Sequence, residues 1–176
     1  MVFGETPSDI AWQSLETTYT NIYYQSLADL KKFNRKVDNY FAQCGFLRLF
    51  SCSGADDLSD KITKKVDAIY ERVQEILGIH KKMEKVSIKI YSDKKQLKTA
   101  YLKPKKTALR NYQTPSNIRA WYIKKNNTIY LNINDLHEGM LAHEMAHSII
   151  DHYFLIRPTK ATAEILAQHA DKNLFE

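Results

Sequence analysis

Two histidines and a glutamate stand close together in the segment His143–His147, which reads HEMAH. Because four residues make about one turn of an α-helix, both imidazoles project from the same helix face. Two imidazoles at that separation can bind one Zn²⁺ ion, each at roughly 2.0–2.1 Å. Glu144 lies about 100° further round the helix, where its carboxylate can reach a water on the metal without being a ligand. The spacing therefore predicts a zinc site.

Zinc at this site would make hydrolysis feasible at neutral pH. The ion lowers the pKa of a bound water to about 7, and Glu144 is placed to act as the general base. A chance match is the alternative interpretation, since short motifs recur at random. Against it, the motif follows a predicted strand and lies on a well-formed predicted helix. The buried side of that helix would be formed by Met140, Leu141, Met145, Ile149 and Ile150.

Glu164 is the expected third metal ligand. Asp151 continues the stripe of the two histidines, but it lies about 9 Å along the helix axis from their midpoint, too far for its short side chain. We expect Asp151 to have a supporting or capping role. Pro158 lets the chain reverse, so that a second helix can pack alongside with Glu164 facing the metal. Gln168, one turn later, would help to orient that ligand.

The remaining pattern predicts an α+β protein with a small mixed β-sheet and packed helices. Strands are expected at 17–24, 85–92, 119–123 and 128–134, where apolar and polar residues alternate. Helices are expected at 26–43, 57–77, 93–102, 136–154 and 159–174, from apolar spacing and capping residues. Asn126 and Asn127 favour a tight hairpin between the last two strands. We expect a single domain over residues 1–176.

These features resemble the gluzincins, zinc metallopeptidases of the peptidase-MA-like type. The resemblance is carried by the HExxH residues His143, Glu144 and His147, by Glu164 within the segment AEILA, and by the order of elements from about Trp12 onward. It implies a zincin-like fold in which the active-site helix is followed by a glutamate helix. It also implies Zn²⁺ as cofactor and a peptide or protein substrate that pairs with strand 129–133 or its hairpin partner 120–123.

Two positions depart from the family pattern. Many gluzincins carry an aspartate four residues after the glutamate, where this chain has Gln168. Family members also supply a tyrosine or histidine that stabilises the oxyanion, and His169 lies about 140° from Glu164 around its helix. The other candidates for this role are Tyr122, Tyr153 and His152. The alternative function is therefore a catalytically inactive zincin-like module that binds a protein partner, and a third is hydrolysis of a non-peptide amide.

Composition and charge exclude several other classes. The 176 residues carry a net charge of +6, with lysines spread along the chain. Most are expected on solvated helix faces, and no nucleic-acid-binding module accompanies them, so no nucleic-acid partner is expected. No apolar run approaches the roughly 20 residues that a membrane span requires. Neither the substrate nor the oligomeric state follows from the sequence.

The two cysteines bear on the compartment. Cys44 and Cys52 bound a short apolar segment and are not at zinc-finger spacing. They are either two inert thiols or a disulfide, and a disulfide would indicate an oxidising compartment. In that case we expect a secreted or periplasmic protein whose signal peptide has been removed. The same segment, or the lysine-rich loop 103–106, would be the docking site of a non-catalytic module.

Overall fold

The computed structural model describes residues 11–38, 57–102 and 118–176. The strands are β1 (Gln13–Glu16), β2 (Thr20–Tyr24), β3 (Val86–Tyr91), β4 (Ala120–Ile123) and β5 (Thr128–Asn132). The helices are α1 (Leu27–Lys36), α2 (Leu58–Leu77), α3 (Lys94–Leu102), α4 (Glu138–Tyr153) and α5 (Lys160–Lys172). The predicted α+β class with a small mixed sheet is confirmed.

The sheet has the order β1-β2-β3-β5-β4. Strands β2, β3 and β5 run parallel to one another, whereas β1 and β4 are antiparallel to their neighbours. Among the described residues, β5 is therefore an interior strand and β4 has a free edge. Of the two strands expected to pair with a peptide, β4 is thus the one whose main-chain groups lie at an edge of the described sheet.

The prediction of one strand over 17–24 is wrong at its beginning. Residues 17–19 form a tight turn instead, between β1 and the antiparallel β2. The Thr17 hydroxyl accepts a hydrogen bond from the main-chain N–H of Thr20 at 2.9 Å, and Thr17 N–H donates to the Thr20 carbonyl at 2.8 Å. Threonine favours strands in general, but its hydroxyl can also hold a turn through such local bonds.

The predicted helices are confirmed to within two residues at the ends that the structure describes, except that α1 ends at Lys36 instead of 43, with Val37 as its C-cap. Ser26 and Thr159 begin α1 and α5 by accepting main-chain N–H groups with their hydroxyls, and Asp57 caps α2. Helix α2 ends at Gly78, which has a left-handed φ of 64° that glycine adopts at little cost. Residues 39–43 of the predicted first helix lie outside the described residues.

The core lies between the sheet and the helices. Ile22, Ile88 and Ile129 are in register on adjacent parallel strands and are fully buried. Helix α4 packs against α2, α5 and β4. Of its expected inward residues, four are buried: Leu141, Met145, Ile149 and Ile150. Met140 is the exception, since it is partly exposed and lies beside the site described below.

Small residues bring α4 and α5 close together. Ala163, Ala167 and Ala170 are buried on α5, whereas Ala161 is exposed. A Cβ on Gly139 of α4 would lie only 1.9 Å from an Asp171 side-chain oxygen, so a larger residue there would require that side chain to move. Three alanines of α5 thus allow α4 and α5 to pack closely.

Two predicted loops lie outside the described residues, the segment Cys44–Cys52 and the polar stretch 103–117. The pairing of the cysteines, and the compartment that depends on it, therefore stay predictions. Within the described parts of the chain, no helix combines the length and apolar character needed to cross a bilayer.

Candidate metal centre

The start of α4 is held by local hydrogen bonds. Asn132, the last residue of β5, donates from its side chain to the Asp135 carboxylate at 2.7 Å across the connecting turn. His137 is the cap of α4, where its Nδ1 accepts the N–H of Met140 at 3.1 Å. The helix therefore begins at a defined residue, which determines the direction of every side chain on it.

The structure brings His143, His147 and Glu164 together. Oε1 of Glu164 lies 3.5 Å from Nε2 of His143, and its Oε2 lies 3.5 Å from Nε2 of His147. One donor atom from each residue lies within 4.8 Å of the other two. Ligands at 2.0–2.1 Å from a tetrahedral zinc are roughly 3.4 Å apart. The spacing between the carboxylate and each imidazole therefore fits a shared ion.

The protonation of His147 also suits a ligand. Burial lowers the pKa of His147, and the nearby His143 lowers it further, against the opposing pull of Glu164 and Asp151. A lowered pKa favours the neutral imidazole at neutral pH, and the neutral form has the lone pair that a metal requires.

Gln168 supports Glu164 from the same helix face. Its Nε2 donates to Oε1 of Glu164 at 3.2 Å. The expectation that these two residues share a face of α5 is confirmed. The hydrogen bond restricts the rotation of the glutamate carboxylate, which is partly exposed and would otherwise sample several orientations.

Glu144 is buried beside the cluster, with 9% of its surface exposed. Burial raises its pKa to about 8, the negative charge of Glu164 adds to that rise, and a main-chain hydrogen bond from Tyr122 opposes it. A carboxyl group with a pKa near the working pH can both accept and return a proton, which is the requirement for a general base.

The free edge of β4 borders the same site. Asn132 N–H donates to the Arg119 carbonyl at 3.0 Å, which marks these two residues as a hydrogen-bonded pair between β5 and the start of β4. Such pairs alternate along antiparallel strands, so the main-chain groups of Ala120 and Tyr122 point away from β5. The Tyr122 N–H on that open edge is the group that contacts Glu144.

A cavity of about 370 Å³ opens between this edge and α4. Its lining residues are Tyr101, Ile118, Arg119, Ala120, Trp121, Met140 and Glu144. Among the described residues, the Arg119 guanidinium has no ion-pair partner, and the buried Trp121 Nε1 has no hydrogen-bond acceptor. Arg119 and Trp121 thus line the same cavity as Glu144, and the sequence patterns singled out neither of them.

Asp151 lies outside the donor cluster, in agreement with its predicted exclusion as a ligand. Its side chain is only 2% exposed, and one carboxylate oxygen lies 2.7 Å from Nε of Arg157 and 3.8 Å from Nζ of Lys124. Its coulombic influence reaches His147, where it opposes the lowering of the pKa. The predicted supporting role thus has a structural basis in a charge pair near the end of α4.

The residues suggested for the oxyanion have other partners. The Tyr122 hydroxyl donates to Oδ1 of Asn127 at 3.3 Å, and Nδ1 of His152 lies 2.8 Å from the Ser148 carbonyl oxygen. The ring of Tyr153 packs edge-on against its neighbour Phe154. On α5, Nδ1 of His169 is 2.9 Å from the side chain of Asn173. No contact between described residues brings any of them to the cluster.

No protein-family model, curated protein or solved structure matches the chain. The gluzincin resemblance therefore depends on the motif residues and the order of elements alone.

Proposed function

We propose that this protein is a zinc-dependent peptidase with a zincin-like arrangement. His143, His147 and Glu164 would hold Zn²⁺, and Glu144 would be the general base. The observation that carries the proposal is the convergence of two imidazoles and one carboxylate, with donor atoms within 4.8 Å of one another. Zinc at such a site supplies a Lewis acid and a nucleophile that is active at neutral pH. Two histidines and a glutamate are a donor set that catalytic zinc accepts.

The residues around the donors have complementary tasks in this proposal. Gln168 orients Glu164 through the 3.2 Å hydrogen bond. Glu144 takes a proton from the water that attacks the carbonyl carbon, and it returns the proton to the nitrogen of the departing amine. Its pKa of about 8 in the metal-free protein reflects a carboxyl group that holds a proton readily in its buried position.

The open edge of β4 supports a peptide as the substrate. Ala120 and Tyr122 direct main-chain donors and acceptors away from the sheet, and an extended peptide pairs with such groups by adding a strand. Because the Tyr122 N–H already contacts Glu144, a peptide on this edge would lie next to the proposed base. A small amide that lacks a main chain would gain nothing from the edge, which makes the third alternative the weaker one.

Zinc binding and peptide cleavage measured on the same variants test the proposal. The Glu144→Gln variant is expected to retain zinc, measured by calorimetry and elemental analysis, and to lose casein hydrolysis by about 100-fold or more. The His143→Ala variant is expected to lose both properties. His169→Ala is the matched control, since this histidine pairs with Asn173 away from the donors. A Glu144→Gln variant as active as the wild type would contradict the role of Glu144.

A catalytically inactive module that binds a protein partner is the second candidate. It is favoured by the contacts of Tyr122, His152 and Tyr153, which among the described residues lead away from the donor cluster. A wild-type protein that binds zinc stoichiometrically but cleaves neither casein nor a mixed peptide library would select this candidate over the peptidase.

A further inference from the structure

The connection between α4 and α5 carries an unusual run of exposed apolar side chains. We call residues 153–156 the apolar tip; its members are Tyr153, Phe154, Leu155 and Ile156. Leu155 is wholly exposed, and Ile156 is 89% exposed. Two adjacent aliphatic side chains almost entirely in water are costly for a surface segment, and contiguous exposed apolar residues mark interaction sites.

The apolar tip lies at the end of the sheet where β5 begins. Asp151, near the end of α4, lies 3.8 Å from Lys124 of the turn that joins β4 to β5. Leu27 lies three residues after the last residue of β2, and β2 runs parallel to β3 and β3 to β5. Leu27 therefore stands at the opposite end of the sheet from the apolar tip, and it provides a reference point remote from the tip.

Positive charge surrounds the apolar tip. The exposed cations near it are Lys124, Lys125, Arg157 and Lys160. The carboxylate of Asp151 lies close to these cations, but it is buried and is neutralised by Arg157 at 2.7 Å. Glu164, one helical turn after Lys160, is engaged by Gln168 and faces the two histidines. The solvent-facing side of the tip thus combines apolar side chains with an excess of positive charge.

We propose that the apolar tip docks on the surface of a membrane that contains anionic lipid. Leu155 and Ile156 enter the headgroup region, while Lys125 and Lys160 lie against the lipid phosphates. Apolar insertion and attraction to anionic headgroups are each marginal alone and act together at membrane surfaces. This docking involves neither zinc nor hydrolysis, so it is independent of the proposed peptidase function.

The shape of the tip favours a lipid surface over a folded protein partner. Its apolar residues protrude, as the nearly complete exposure of Leu155 and Ile156 shows. A stable protein interface buries about 800 Å² on each side, which a short protruding segment reaches only in a matching pocket. A bilayer accepts a protruding apolar segment without a preformed pocket, and its anionic headgroups complement the neighbouring lysines.

Co-sedimentation of the full chain with lipid vesicles tests the proposal. We expect binding to vesicles of phosphatidylcholine mixed with phosphatidylglycerol, weaker binding to phosphatidylcholine alone, and a decrease with added salt. The variant Leu155→Ser/Ile156→Ser should lower the ratio of bound to free protein about tenfold. The variant Lys125→Glu/Lys160→Glu should weaken binding to the anionic vesicles while leaving the weak binding to phosphatidylcholine unchanged.

Matched controls remove the same chemistry elsewhere. Leu27→Ser removes a side chain that is 54% exposed, and Lys31→Glu/Arg35→Glu makes the same charge change on α1. Both should bind like the wild type, and circular dichroism should show all variants folded. The proposal is overturned if anionic vesicles fail to bind the wild type, or if the α1 variants lose binding as strongly as the tip variants. It is also overturned if the tip substitutions abolish self-association, measured by light scattering, without any vesicle binding.

Discussion

Gln168 donates a hydrogen bond from its side-chain amide to Oε1 of Glu164 at 3.2 Å. The same oxygen lies 3.5 Å from Nε2 of His143, so the amide acts on the atom that faces a proposed ligand. Glutamine keeps this contact at every pH, because its side chain does not titrate. An aspartate, which occupies this position in many gluzincins, would instead place a second carboxylate next to Glu164.

The first prediction concerns this hydrogen bond. Gln168→Ala should weaken zinc affinity by about 10-fold to 100-fold, because partners that orient a ligand typically contribute that much. Competition calorimetry with a chelator of known affinity would measure the change. Lys172→Ala, an exposed substitution on the same helix, is the control. Equal affinities for the Gln168→Ala variant and the wild type would mean that the hydrogen bond does not support the ligand.

The second prediction concerns the cavity next to Glu144. Arg119 lines it, and its guanidinium has no ion-pair partner among the described residues, so the cavity should prefer an acidic substrate side chain. The preference can be measured as kcat/KM for a glutamate-containing peptide divided by kcat/KM for the same peptide with lysine in place of the glutamate. In the Arg119→Glu variant, this ratio should fall by about tenfold or more.

A binding measurement separates this preference from catalysis. Peptide titrations of the Glu144→Gln protein, followed by tryptophan fluorescence, should show the same order of preference without turnover, since Trp121 lines the cavity. If Arg119→Glu changes neither binding nor turnover, the guanidinium does not contact substrate.

The third prediction is a pH dependence of stability in the metal-free protein. Burial raises the pKa of Glu144 from 4.5 to about 8, so the folded state retains a proton that the unfolded chain releases at lower pH. Stability should therefore fall as pH rises from about 4.5 to 8, by up to a few kcal/mol at about 1.36 kcal/mol per pKa unit. Glu144→Gln removes this titration and should remove its contribution to the slope.

Melting temperatures of chelator-treated protein between pH 5 and 8 measure this effect. The advantage of the Glu144→Gln variant over the wild type should grow as the pH rises. Glu84→Gln, at an exposed position, is the control and should follow the wild type. An advantage that stays constant over this range would show that Glu144 titrates normally in the folded protein.

The parts of the structure that depend on neighbours in sequence could be predicted. Ser26, Asp57 and Thr159 cap helices through hydrogen bonds to N–H groups within three residues, and such contacts need no knowledge of the rest of the fold. His143 and His147 share a helix face for the same reason. The prediction of Glu164 as a neighbour of these histidines required one further inference. The chain had to reverse near Pro158, so that the next helix lies alongside α4.

Long-range pairing could not be predicted from these patterns. The free edge of β4 follows from the sheet order, in which β5 pairs with β3, and nothing in the local alternation specifies that neighbour. The cavity beside Glu144 forms only because Arg119 and Trp121 lie at this edge next to α4. The same applies to Thr17, whose β-forming side chain stabilises a turn because Thr20 begins the following strand.

The last prediction concerns the charge pair between Asp151 and Arg157. Asp151 is buried, and its carboxylate has the Arg157 Nε at 2.7 Å but the Lys124 Nζ only at 3.8 Å. Arg157→Ala leaves the carboxylate with the more distant charge, and a buried charge without a close partner is destabilising. Because Arg157 is itself more than half exposed, we expect a loss of about 1–2 kcal/mol in the free energy of unfolding.

A second substitution separates the lost charge pair from lost packing. Asp151→Asn in the Arg157→Ala background removes the poorly compensated charge, so it should restore much of the stability. Asp151→Asn alone should instead leave the Arg157 guanidinium without its carboxylate partner. Urea denaturation of the four proteins gives the coupling energy between the two residues. A coupling energy near zero would show that packing of the arginine side chain, rather than its charge, stabilises the end of α4.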